Sequence, residues 1–188
     1  TSDFVKLTDE DGKYTNDELN FIFLPPIGWA VQTPPQVNSN SPIIAVVGSV
    51  IDDMPPAFTV QVKKSSLSLD EEIYNLKESI QPGITSGFVE IKNEFTLDHK
   101  GFDTYFLEVS QDNKDKFEEP DPLRIDVYLI KSSDKIYVLQ FSNLEKNFDM
   151  TQQQFNDILD SFTITESSSS NSLQTQISDT KIESQPSE

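Results

Sequence analysis

The sequence predicts an α+β fold in which a central antiparallel β-sheet is sandwiched by helices. Three observations carry that prediction. Apolar residues recur with period two through most of the middle of the chain, the period turns helical in only two places, and the elements run strands, helix, four strands, helix.

The elements follow in order. Phe21-Ile-Phe-Leu-Pro-Pro-Ile-Gly-Trp29 opens the domain as a short apolar strand. Proline cannot donate to a ladder, so Pro25 and Pro26 end the pairing or lie on an edge, and Gly28-Trp29 returns to the core after a tight turn. Ile43-Ile-Ala-Val-Val47 is a continuous apolar run suited to a buried strand. Phe58, Val60 and Val62 alternate with Thr59, Gln61 and Lys63, as in a strand with one wet face. Ser68 with Glu71 forms a capping box, and Leu69, Ile73, Leu76 and Ile80 share a helical face until Pro82-Gly83 ends the helix. Two strands, Phe88 to Leu97 and Thr104 to Ser110, flank the turn signal Asp98-His-Lys-Gly101. Leu123, Ile125, Val127 and Leu129 alternate with polar neighbours, and Ile136 to Ser142 returns after Lys131-Ser-Ser-Asp-Lys135 as a hairpin. Thr151 with Gln154 repeats the capping device, and Phe155, Ile158, Leu159 and Phe162 follow at i, i+3, i+4 and i+7. A single sheet spanning this region is expected, with the helices beginning near Ser68 and Thr151.

The 188 residues divide into an acidic lead over 1–13, one domain over 14–164 and a Ser/Thr-rich tail over 165–188. The tail holds Ser167 to Ser170 and only Leu173, Ile177 and Ile182 as large apolar residues. Neither end can offset its ordering entropy by burial, so both are expected to be flexible. The domain between them carries most of the thirteen Phe and can bury a core without staples.

Charge excludes whole classes of partner. With 32 acidic and 14 basic residues the net charge is −18, which repels phosphate backbones and anionic lipid alike. Nucleic acid is therefore not a partner. Arg124 is the only arginine, which leaves almost no material for guanidinium clamps on phosphate or carboxylate. The absence of Cys removes disulfides, thiolate metal sites and thiol nucleophiles. No window approaches the roughly 18 consecutive apolar residues of a membrane-spanning helix. The opening on Thr1 reads as a processed or an excised chain; removal of a signal peptide fits it, and an arbitrary cut would look the same.

The order of elements, together with local residues, resembles the PsbP family, the extrinsic lumenal subunits of photosystem II and their relatives in bacteria and archaea. The likeness lies in Tyr14-Thr-Asn and Phe21-Ile-Phe-Leu-Pro-Pro-Ile-Gly-Trp29, the helix after Ser68-Leu69-Asp70-Glu71-Glu72, the strand and turn up to Gly101 followed by Tyr105-Phe-Leu-Glu-Val109, and the closing Asp160-Ser-Phe162. It covers residues 14–164. The resemblance implies an α-β-α sandwich, no established catalytic activity, and work outside the cytoplasm as an accessory or assembly subunit. Plant members help retain calcium and chloride at the manganese cluster. The acidic lead stands where plant members have a basic docking region, and His99 is the only histidine available to the metal sites proposed for the family.

Two acidic stretches are candidate sites. Asp9, Asp11, Gly12 and Glu18 match an EF-hand calcium loop in spacing, with Leu7 in the first ligand position and no room for a preceding helix. Any Ca²⁺ held there would be weakly bound. Asp112, Asp115, Glu118, Glu119 and Asp121 crowd a loop stiffened by Pro120 and Pro122, which reads first as a solvated connection. Its functional reading is a divalent-cation or partner-docking loop with Phe117 as an anchor. His99, alone in a turn, reads as a surface residue, and Trp29 as a core or rim aromatic. The chain has neither a Gly-rich phosphate loop nor a nucleophile elbow, so no enzyme is expected. The expected function is a non-catalytic, extracytoplasmic accessory domain that binds a protein partner within or beside a membrane-associated complex. The alternative is a small-molecule or Ca²⁺-binding module in which the sheet and one helix enclose a pocket.

Overall fold

The computed structural model describes residues 7–112 and 121–165. The start of the acidic lead, the loop acids Asp115, Glu118 and Glu119 with Phe117, and the tail from 166 onward lie outside the described residues.

Within them the chain is α+β and its strand pairings are antiparallel. Strands β1 (Tyr14–Asn16), β2 (Phe21–Phe23), β3 (Ala30–Gln32), β4 (Ile44–Val47) and β5 (Ala57–Lys64) precede helix α1 (Leu69–Thr85). Four long strands follow: β6 (Val89–His99), β7 (Phe102–Gln111), β8 (Leu123–Lys131) and β9 (Lys135–Leu144). Helix α2 (Glu145–Ser161) and the short β10 (Thr163–Ile164) close the domain. The main sheet has seven strands in the order β3-β4-β5-β9-β8-β7-β6.

The expectation of one sheet is corrected. β2 lies between β1 and β10 in a separate three-stranded sheet, with Tyr14 opposite Phe23 and Thr163 opposite Ile22. Pro25 and Pro26 stop β2 after three residues, because they have no N–H to continue a ladder.

Alternation along the main sheet sends successive side chains to opposite faces. On one face Phe58, Val60, Ile130, Tyr137, Leu139 and Phe141 pack with Phe148, Phe155, Ile158 and Phe162 from α2 and the end of its helix, and with Phe21 and Phe23 from the small sheet. Tyr105, Leu107, Val127, Leu129 and Ile136 point the other way, where Leu69, Ile73, Leu76 and Ile80 of α1 lie on them. The layer on the α2 face is thus mixed, part helix and part small sheet. No residue of α1 is fully buried, whereas α2 buries five.

Helix boundaries follow local chemistry. At α1 the expected capping box is present: Ser68 Oγ accepts from Glu71 N and Ser68 N donates to Glu71 Oε2 at 2.8 Å. The helix does not end at Pro82-Gly83 but runs through them to Thr85. Gly87, at φ +75°, then closes it: Gly87 N donates to Ile84 O and Phe88 N to Gly83 O, the paired bonds of a Schellman motif. Helix α2 starts at Glu145, six residues before the expected Thr151, and its N-cap Leu144 has no side-chain cap bond. Thr151 is buried inside the helix instead, where its hydroxyl donates to Phe148 O and accepts from Asn143 Nδ2. Asn143, wholly buried on β9, also donates to Asn147 O and accepts from Leu144 N, so a strand residue organises the first turns of α2.

Candidate functional site

The β6–β7 hairpin turns on Lys100 and Gly101, both at positive φ (53° and 87°), the two-residue turn that matches strand twist. That turn sets the register: His99 faces Phe102, Asp98 faces Asp103, and Leu97 faces Thr104. His99 Nε2–H donates to the Phe162 carbonyl oxygen at 3.1 Å. Lys100 Nζ donates to the carbonyl oxygens of Asp160 (2.6 Å) and Phe162 (3.0 Å) at the end of α2, where a cation complements the helix dipole. His99 is therefore half-buried and structural, not a surface turn residue.

On the opposite face, the same hairpin end forms one wall of an open cleft of about 510 Å³ whose other wall is the N-terminus of α1. Ser68, Leu69 and Asp70 line it from the helix, and Thr96, Leu97, Asp98, Asp103 and Thr104 from the strands. Asp70, Asp98 and Asp103 are exposed, and among the described residues none of the three meets a cation. Other acids nearby are engaged. Glu94 pairs with Lys77 at 2.5 Å and accepts from the Tyr105 hydroxyl, and Glu90 pairs with Lys92 at 2.7 Å. The Lys77 ammonium first, then the Tyr105 hydroxyl, hold the Glu94 carboxyl below the usual range. The backbone N–H of Ser68 does the same for Glu71.

Around the outside of α1 a second depression of about 390 Å³ shares Asp70 and adds Leu67, Glu71, Tyr74 and Asn75. Tyr74 is 64% exposed and Leu67 37%. The two hollows together present apolar and aromatic surface rimmed by Asp70, Asp98 and Asp103, which among the described residues pair with no cation. A third cavity, of about 150 Å³, lies between α1 and the sheet and is lined by Gln61, Lys63, Glu72, Leu76, Leu129 and Val138 among others. Small-molecule sites run to roughly 300–1,000 Å³, so this third space is too small for an ordinary cofactor.

Among the described residues, the acids singled out in the sequence are not brought together. Asp9 Oδ1 accepts from Lys13 N at 2.8 Å, and β1 follows at once, so Glu18 lies beyond a strand in the turn before β2 rather than at the end of a ligand loop. Asp121 pairs with Lys146 at 2.5 Å, and Lys146 also reaches Asp52 at 3.5 Å. Asp112 N donates to Phe88 O at the far end of the β6–β7 pair. Among the described residues no three His, Asp or Glu side chains are grouped to hold a metal ion. Trp29 is half-buried and meets Phe155 edge-on at 5.9 Å, a rim aromatic as expected.

Arg124 is likewise committed. Its guanidinium donates to both carboxylate oxygens of Asp126 (3.0 and 3.1 Å), lies 3.4 Å from Glu108 and covers the Phe148 ring at 4.0 Å. Asp126 is only 5% exposed, and the group ties together β7, β8 and α2.

The architecture has known counterparts. The cyanobacterial PsbP of Synechocystis superposes with a TM-score of 0.60 at 14% identity, covering 87% of this chain and 96% of that one. The chain has the PsbP-like fold. Two further structures share this PsbP-like arrangement, each with a TM-score of 0.52. One is LpqN of Mycobacterium tuberculosis, involved in cell envelope biogenesis, at 17% identity with 84% and 87% of the two chains covered. The other is the Ran-binding protein Mog1p of Saccharomyces cerevisiae, at 15% identity with 82% and 95% covered. No family model matches the sequence, and neither does any curated protein. No helix among the described residues is long and apolar enough to cross a membrane.

Proposed function

We propose that this PsbP-like domain is a non-catalytic accessory module that docks a protein partner on the surface formed by the N-terminus of α1 and the tip of the β6–β7 hairpin, outside the cytoplasm. One observation carries the reading: exposed Tyr74 and Leu67 share a depression with Asp70, which in turn shares the adjoining cleft with Asp98 and Asp103, so apolar anchors adjoin carboxylates that pair with no cation among the described residues. Interfaces are built that way, with an aromatic anchor in the centre and a polar rim that steers and selects the partner. An open surface suits a macromolecule better than a metabolite, which needs enclosure on most sides. The likeness to Mog1p, a Ran-binding protein, supports a protein-binding accessory module, and the likeness to LpqN, involved in cell envelope biogenesis, supports an extracytoplasmic setting.

The test is a photocrosslinking amino acid at position 74, with the same group at Gln153 on the exposed side of α2 as reference. A discrete adduct from position 74, absent from position 153 and lost when Asp70→Lys and Asp103→Lys are added, is the expected result. Equal adducts from both positions would overturn the proposal.

A further inference from the structure

The main sheet ends in β6, and no strand among the described residues pairs with its outer edge. The hairpin fixes which backbone groups point there. In a two-residue hairpin the residues flanking the turn form a hydrogen-bonded pair, and such pairs alternate along the ladder. His99 with Phe102, Leu97 with Thr104 and Phe95 with Phe106 are therefore bonded inward. The N–H and C=O groups of Glu94, Thr96 and Asp98 face away from β7. A bulge between Ile91 and Asn93 interrupts the edge on one side, together with the charges of Glu90 and Lys92, devices that blunt an edge against pairing. From Asn93 to His99 the edge is regular and open.

We infer that this edge accepts the partner as an added β-strand, and that the added segment alternates Lys or Arg with apolar residues. The inference rests on the docking surface proposed above and specifies how the partner engages it. On the α1 side, Asp98, Asp103 and Asp70 await cationic side chains from one face of the new strand. On the other side, Phe95, 47% exposed and packed at a tilt against Phe106 with ring centroids 4.7 Å apart, and half-buried Leu97 offer apolar surface to its alternate residues. Main-chain bonds would hold such a segment and the alternating faces would select it. A second copy of the chain does not fit: two β6 edges would bring Glu94 and Asp98 against their own kind in molecules that each carry −18.

The probe is a synthetic octapeptide alternating Lys and Val, titrated into the full chain by NMR, alongside the same peptide N-methylated at alternate amides and a Glu/Val counterpart. Expected are slowed amide exchange at Glu94, Thr96 and Asp98, at least about tenfold weaker binding of one N-methylated register, since several hydrogen bonds are lost together, and no binding of the Glu/Val peptide. Thr96→Pro should weaken the Lys/Val peptide to a similar degree, because it removes an outward N–H while leaving the inward ladder intact. The methylated peptides avoid any folding defect in that variant. If both methylated registers bind as well as the parent, or Thr96→Pro has no effect in a folded protein, strand addition is wrong. If the Lys/Val peptide does not bind, the inference is also wrong. In either case the adduct from position 74 reports separately whether the docking surface itself stands.

Discussion

Asp98 and Asp103 are cross-strand partners, two exposed carboxylates directly opposite each other on the α1 face of the β6–β7 hairpin. Like charges in that relation destabilise a strand pair. Asp103→Asn should therefore stabilise the free protein by about 0.2–1 kcal/mol, the usual size of a cross-strand pair effect, while weakening capture of the partner. Urea unfolding and the crosslinking yield measure the two halves. A destabilised variant, or one with undiminished yield, would show that the pair is not held in reserve for a cation.

Phe162 is wholly buried and stacks on Phe21 at 5.6 Å, with Tyr137 edge-on at 6.2 Å. It joins α2, the small sheet and the main sheet at one point. Phe162→Ala should cost about 3–5 kcal/mol, read as a drop in the denaturation midpoint with little change in slope.

That residue and its helical spacing were legible in the sequence, as were the α1 capping box at Ser68, the β8–β9 hairpin and the turn at Asp98 to Gly101. The start of α2 was not. Its N-cap Leu144 has no side-chain cap bond, its first N–H goes to Pro122 O, and the side chain that organises its first turns is Asn143 on the preceding strand, so no local pattern announces the start. The small sheet was hidden for a related reason: β1 and β10 are too short to show a period, and they exist because β2 lies between them. The opposition of Asp98 and Asp103 could have been counted out from a two-residue turn. Asp70 joins them only once α1 is laid across the sheet, which spacing alone does not encode.

Asn143→Ala removes the donor to Asn147 O and Thr151 Oγ1 and the acceptor for Leu144 N in a fully buried setting. Unsatisfied buried groups cost about 1–3 kcal/mol each, so a loss in that range or somewhat above is expected. Exchange of the first amides of α2 should rise more than exchange in α1. A uniform rise across both helices would deny Asn143 its local role.

Acid should act on the same face as the cleft. Lys77, and after it Tyr105, hold Glu94 below its ordinary value of 4.5, so in that range the unfolded chain binds the proton more readily than the folded one. The stability this group contributes is thus complete above 4.5 and is lost as pH falls through the lowered value. Glu94→Gln should flatten the acid limb of midpoint against pH and leave the neutral region's slope unchanged. An unaltered acid limb would place the ion pair outside the stability of the fold.

The central claim is that the partner covers the tip of the β6–β7 hairpin and the first turns of α1. Hydrogen–deuterium exchange of the full chain, alone and with the partner recovered through position 74, tests it most directly. The account predicts slowed exchange confined to Asn93–His99 and to the first turns of α1 from Leu69, with α2 unchanged. Slowing centred on α2, with the β6 edge exchanging as in the free protein, would contradict it.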